Sequence, residues 1–237
     1  MLLKSIALLF ITVVLLNAEP GLMAPSEAKS NDYYCSVVDA DIGHTRNAVM
    51  DGKVWPSTSL TYTIDPSFSE EEFPQLGLYD QPNVRYVPSV SSSSIVGYSN
   101  KTPHLIYLSK DHRSDTETIL HETFHMLGLF HEHTRHDRDN YVVIEEENVD
   151  RWEENKVNFE SRRDTRSLNV GYNYNSIMHY PKNAFSRNGA TTIYALENGV
   201  KVERDFGSKK PALSDWIKIS RLYNCNRPEE QIPEKCY

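Results

Sequence analysis

The 237-residue sequence predicts an α+β fold and not an alternating βαβ one. Three observations carry this. Short apolar and alternating segments crowd the stretch before His121. A helix with strong local signals spans His121 itself. Two further helical patterns follow, set among long irregular loops. With 39% hydrophobic and 24% charged residues, a chain of this length buries a real core. Disordered, collagenous and multi-span membrane classes are excluded on the same grounds.

The elements follow in order. Residues 1–18 have the form of a secretory signal peptide: a basic start ending at Lys4, an apolar run from Ile6 to Leu16, and the small residue Ala18 at the cut. That run is too short to span a bilayer comfortably. Residues 19–46 are polar and read as a short pro-segment or linker, leaving 47–237 as one domain. Leu60–Ile64 alternates and predicts a half-buried strand. Glu70 to Pro82 is acidic, carries Pro74 and Pro82, and reads as a loop. Asn83–Val87, Ser94–Tyr98 and Leu105–Leu108 are further strands, separated by Pro88, a serine run and Pro103. Ser114 and Glu117 form a capping box. Ile119, Leu120, Thr123, Phe124 and Leu127 then keep helical spacing up to Gly128, which supplies the stop. The helix is therefore expected over Asp115–Leu127. Val149, Trp152, Lys156 and Phe159 suggest a second. A third begins at Ser214, with Trp216, Ile219 and Tyr223 on one face.

Twenty-five basic against 33 acidic residues give a formal charge of −8. A nucleic-acid binder needs a basic stripe to meet phosphates, so that class is not expected. With an export signal and no second long apolar run, a secreted, extracellular product without a membrane anchor is expected. Export permits disulfides. Cys35, Cys225 and Cys236 make an odd count; if processing removes Cys35, a bond between Cys225 and Cys236 is expected. Asn100-Lys-Thr102 is a glycosylation sequon, usable if it is exposed.

Five of the nine histidines fall between His121 and His136. The central sequence is His121-Glu-Thr-Phe-His125-Met-Leu-Gly128-Leu-Phe-His131. Residues four apart share a helix face, so His121 and His125 present two imidazoles to one metal ion. Gly128 lets the chain reverse, and His131 returns as a third nitrogen ligand. Three protein ligands leave a position for water, the mark of a catalytic zinc site. Glu122, one position round the helix, is placed to take a proton from that water. The expected cofactor is one Zn2+ per chain. His133 and His136 continue into a charged stretch and are read as surface residues. His44, His104 and His112 lack metal spacing and are read as surface or turn residues.

The stretch His131-Glu-His-Thr-Arg135-His-Asp-Arg-Asp139-Asn-Tyr141-Val142 resembles the extended zinc signature of the astacin family of metalloendopeptidases, which are metzincins. Tyr174-Asn-Ser-Ile-Met178-His-Tyr180 resembles that family's Met-turn. Ala184-Phe-Ser186 and Thr192-Ile193 fit as well. Leu213-Ser-Asp-Trp-Ile217 and Leu222-Tyr-Asn-Cys225 resemble its C-terminal helix, and Trp55-Pro56 with Leu60–Ile64 its opening strand. The likeness covers about residues 47 to 226. It implies a two-subdomain catalytic domain. A twisted, mostly antiparallel-edged sheet and the zinc-site helix lie above, and an irregular C-terminal subdomain with Met-turn and C-terminal helix lies below. By the same resemblance His121, His125 and His131 are the zinc ligands and Glu122 the catalytic glutamate. Tyr180 is a tyrosine that ligates zinc at rest and swings away to help stabilise the transition state. Met178 has a packing role.

The chain departs from the family pattern in two places. A helix–strand block between Phe68 and Val84 is missing, and so is a cysteine pair expected near Ser92 and His112. Arg46-Asn47-Ala48-Val49 resembles the junction where astacin zymogens are cut, and Val38-Asp-Ala-Asp41-Ile42 the pro-segment motif whose aspartate, here Asp41, covers the zinc. The new amino group at Asn47 would then sit near Glu132. The expected function is a secreted endopeptidase that hydrolyses internal bonds of protein or peptide substrates. The alternative is a catalytically weak or inactive zinc-containing binding protein on an astacin-like scaffold.

Overall fold

A computed structural model of the chain describes residues 54–57, 60–68, 83–111, 115–163 and 165–225. The expected signal peptide, pro-segment, Asp41, the Arg46–Asn47 junction, His44, His112, the acidic loop over 70–82, Cys35 and Cys236 lie outside the described residues. Cys225 is disulfide-bonded, and both other cysteines are outside the described part.

The first sheet comprises β1 (Tyr62–Ile64), β2 (Val84–Ser89), β3 (Ser93–Ser94) and β4 (His104–Ser109), in the order β1-β2-β4-β3. Tyr62 lies opposite Val84 and Val84 opposite His104, all in parallel, while β3 adds an antiparallel edge. Strand alternation explains which face is buried: Val84 and Tyr86 on β2, and His104, Ile106 and Leu108 on β4, all point inward. His104 is thus not a surface residue. It is 3% exposed, packs its ring 4.5 Å from that of Trp55, and accepts the Ser99 N–H at Nε2 (2.9 Å). Its place in the period-two pattern outweighs its polarity. The strand expected over Ser94–Tyr98 is cut to Ser93–Ser94, because Gly97 takes φ 70° and turns the chain, donating its N–H to the His125 carbonyl.

Helix α1 (Thr116–Met126) lies against this sheet. Its N-cap is Asp115, whose side chain makes no capping bond; Ser114, the first residue of the expected capping box, lies outside the described residues. The Trp55 indole donates to the Met126 carbonyl (2.9 Å), the Tyr223 hydroxyl to that of Leu127 (2.9 Å), and the Tyr86 and Thr123 hydroxyls meet at 3.1 Å. Ile106, Leu108, Phe124, Leu129 and Met178 fill the main core. Each such side chain contributes about 1.5–3 kcal/mol through burial.

The C-terminal half has its own antiparallel sheet, β5 (Val142–Ile144), β6 (Ile193–Glu197) and β7 (Val200–Val202), in that order. A second core of Val142, Val149, Phe159, Ile193, Ala195 and Phe206 lies on it. The second predicted helix is only α2 (Trp152–Asn155), followed by a 3-10 turn (Lys156–Asn158). Arg151 takes φ 42° and Val149 pairs with Ser186, so a helix cannot start earlier. Helix α3 (Leu213–Leu222) packs Trp216, Ile219 and Tyr223 against the main core, as its periodicity predicts, and ends at Asn224 in the left-handed conformation. No helix among the described residues is long and apolar enough to cross a membrane.

Candidate metal centre

The last two turns of α1 place His121, Glu122 and His125. Nδ1 of His121 donates to the Ile177 carbonyl (2.8 Å) and Nδ1 of His125 to that of Leu129 (2.7 Å). Each bond fixes the tautomer and leaves the lone pair on Nε2. Gly128, at φ 112°, reverses the chain and donates to the His125 carbonyl. His131 thereby returns with its Nε2 3.3 Å from that of His121 and 3.1 Å from that of His125.

These three side chains fit a metal ion. Nitrogens held at 2.0–2.1 Å around a tetrahedral zinc stand roughly 3.3 Å apart, which is the spacing found. They form a group of ligand atoms within 4.8 Å of one another. Burial keeps all three imidazoles neutral: His121 is lowered, His125 falls to about 3 with the help of His121, and His131 lies well below its ordinary value. Neutral imidazole is the metal-binding form. Beside them Glu122 is 6% exposed, and its Oε2 has no hydrogen-bond partner among the described residues. Burial pushes its pKa up to about 7. A buried, unpartnered carboxylate oxygen next to three aligned lone pairs points to a reacting group there.

The turn over residues 174–180 closes the site. Tyr180 lies 4.3 Å from the His131 ring, centroid to centroid, and stacks on His133 at 4.1 Å. Burial first, and the charge of Glu122 second, raise its pKa to about 12, so its hydroxyl stays protonated. Met178 is 1% exposed in the main core, and its carbonyl accepts the Glu132 N–H (2.9 Å). Asp215 on α3 accepts from the Ser176 hydroxyl (2.5 Å) and the Ile177 N–H (3.0 Å). Gly207 donates its N–H to Tyr174 and passes so close that an added Cβ would meet the His179 carbonyl at 3.0 Å.

Glu132 is buried. Its Oε1 accepts the Asn173 N–H (3.0 Å) and faces Arg135 (3.3 Å), and its Oε2 accepts from Lys218 of α3 (2.5 Å). The Asn47 amino group expected beside it lies outside the described residues. His136 is exposed, as read. His133 is not: it is fully buried and bonds the Asn158 carbonyl at 2.9 Å. The charged neighbours that suggested a surface are themselves turned inward, since Glu132 and Arg135 are 3% exposed. Arg135, Lys218, Asp215 and His179 were missed as site residues. A signal existed for two of them: Asp215, Lys218 and Leu222 share a helical stripe, and all three are buried.

The family model for astacin, a peptidase family, matches residues 79–224. The chain belongs to the astacin family. Zinc metalloproteinase nas-7 of Caenorhabditis elegans is 31% identical over 201 residues, covering 77% of this chain and 51% of its own length. The chain thus spans about half of that relative. Seminal metalloprotease 1 of Drosophila melanogaster is 27% identical over 229 residues, covering 81% of this chain and 87% of its own. Among solved structures, high choriolytic enzyme 1, a hatching enzyme zinc-protease from the medaka Oryzias latipes, superposes with a TM-score of 0.58 at 25% identity, covering 81% of this chain and 100% of that one. The α+β fold and its division around the histidine cluster agree with this astacin family likeness.

Proposed function

We propose that this chain is a secreted zinc-dependent endopeptidase that cuts internal bonds of protein or peptide substrates. The observation that carries it is the buried, unpartnered carboxylate oxygen of Glu122 beside the three histidine Nε2 atoms. His121, His125 and His131 would hold one zinc ion. When bound, zinc supplies an acidified water and polarises the substrate carbonyl.

The chain's own groups do the rest. Glu122, poised near neutrality, accepts a proton and returns it to the leaving amine. Tyr180 keeps its O–H and donates it to the negative charge that develops on the substrate oxygen. The carbonyls of Ile177 and Leu129 hold the imidazole rings in one orientation. Residues 1–18 direct export and 19–46 form a pro-segment in which Asp41 covers the metal until the chain is cut after Arg46. Asn100 is exposed, which suits a glycosylated asparagine.

Casein digestion with and without a chelator tests the reading, beside a Glu122→Gln variant. Digestion should need metal, and the variant should keep its metal while activity falls by about 10²–10⁴-fold. Undiminished digestion by Glu122→Gln would exclude the glutamate's role. A metal-loaded, cut wild type that digests nothing would favour a binding protein.

A further inference from the structure

Glu132 and Lys218 lie 86 positions apart in the sequence, yet carboxylate and ammonium meet at 2.5 Å with side chains 3% and 2% exposed. Neither charge could be buried alone without a large desolvation cost. The pair also has a definite place in the site. Glu132 directly follows His131, and its N–H is fixed to the Met178 carbonyl. Lys218 cannot drift, because Asp215, one turn earlier on α3, is bound to Ser176 and Ile177. The Ile177 carbonyl in turn holds His121. Helix α3 therefore grips the histidine cluster at two points, one leading to His121 and the other to His131.

We propose that Lys218 is a positioning residue: its ammonium is the built-in counter-ion of Glu132 and holds the segment that carries His131. It does so whether or not the chain has been cut after Arg46. A carboxylate offers about four lone-pair sites. Three donors already occupy Glu132: Lys218, the Asn173 N–H and Arg135. The cation that Glu132 requires is thus part of the fold. Cutting then serves to uncover the metal, not to assemble the wall behind the third ligand. This rests on reading the histidine cluster as a metal centre.

The test uses the full chain in two forms, an uncut Arg46→Ala protein and the wild type cut after Arg46. Each is combined with Lys218→Met, Lys218→Arg and the double variant Glu132→Gln/Lys218→Met. Thermal unfolding of metal-free protein reads the pair without the metal. Lys218→Met should lower the midpoint by on the order of 10 °C in both forms, since it leaves the buried Oε2 of Glu132 without a donor and Arg135 as the carboxylate's one remaining cation. The double variant should recover at least half of that loss, and Lys218→Arg most of it. Cutting alone should leave the midpoint unchanged. With cobalt bound in the cut form, Lys218→Met should alter the visible absorption and release metal about tenfold faster, as loss of a residue supporting a ligand does. If Lys218→Met does not fold, the double variant decides: folding supports the pair, and failure overturns it. Unchanged midpoint and spectrum in Lys218→Met would overturn the proposal. So would a cut that raises the metal-free midpoint as much as Lys218→Met lowers it, because the new amino terminus would then be the counter-ion. A wild type that binds no cobalt would defeat the metal reading, while the metal-free midpoints still judge the pair.

Discussion

Nδ1 of His121 donates to the carbonyl oxygen of Ile177 at 2.8 Å, a single bond joining the motif helix to the Met-turn. Because the acceptor is backbone, the imidazole is oriented by the path of the turn and not by any one side chain. The turn's own anchors, Asp215 and Gly207, therefore belong to the site as much as the ligands do.

Replacing His125 by Ala should abolish tight metal binding. Wild-type protein dialysed against a weak chelator should retain about one zinc per chain, the complement of a single three-histidine site. His136→Ala, at an exposed position, should retain as much as wild type. Metal analysis of the three proteins side by side checks this.

Tyr180→Phe removes one hydroxyl and little else. Loss of a donor to developing charge costs about 10²–10³-fold in kcat, with a smaller change in KM because the contact belongs to the transition state. Steady-state kinetics on a fluorogenic peptide separate the two. A defect confined to KM would show that the hydroxyl binds substrate and plays no part in the chemical step.

Asp215→Ala should destabilise the fold severely. It orphans the Ser176 hydroxyl and the N–H groups of Ile177 and Ala212, all of which now point at one carboxylate. At about 1–3 kcal/mol for each of the two fully buried donors, at Ser176 and Ile177, the loss should reach at least about 2 kcal/mol. Urea unfolding measures it.

Acid should unfold this protein through its buried histidines. His179 is lowered to about 4, chiefly by burial. Its Nδ1 donates to the Tyr180 carbonyl and its Nε2 accepts the Tyr172 hydroxyl, both at 2.7 Å, so the neutral ring is fully used. The unfolded chain takes up this proton near pH 6.5 and the folded one only near 4. The stabilisation is complete above about 6.5 and falls by roughly 3 kcal/mol as pH drops to 4. In His179→Gln the dependence of stability on pH over that window should be shallower by about one proton. An unchanged slope would mean that His179 titrates normally in the folded state.

The strands, α1 and the ligand spacing were legible because each rests on a local period. Val84 and Tyr86 alternate, and His121 and His125 recur one helical turn apart. Gly128 announced the reversal that returns His131. What escaped the sequence was tertiary. His133 sits among polar neighbours, and only the packing of distant elements makes it interior. Lys218 was invisible for the opposite reason: lysine on a helix reads as solvated, and the carboxylate that buries it comes from a segment 86 residues earlier. The short β3 and α2 were overestimated because positive φ at Gly97 and Arg151 cannot be read from periodicity.

Gly207 has no side chain, lies far along the sequence from every ligand, and would pass unnoticed in a scan that replaces residues by alanine according to their nearness to the histidines. Its backbone nevertheless rests on the carbonyl of His179, the residue before Tyr180. Adding even a methyl group there, at φ +78°, would strain the loop and press on the Met-turn. A randomised library over residues 203–209 should therefore tolerate variety at its outer positions and return almost nothing but glycine at 207. The backbone of the Met-turn would then be held in place by an atom that the sequence omits.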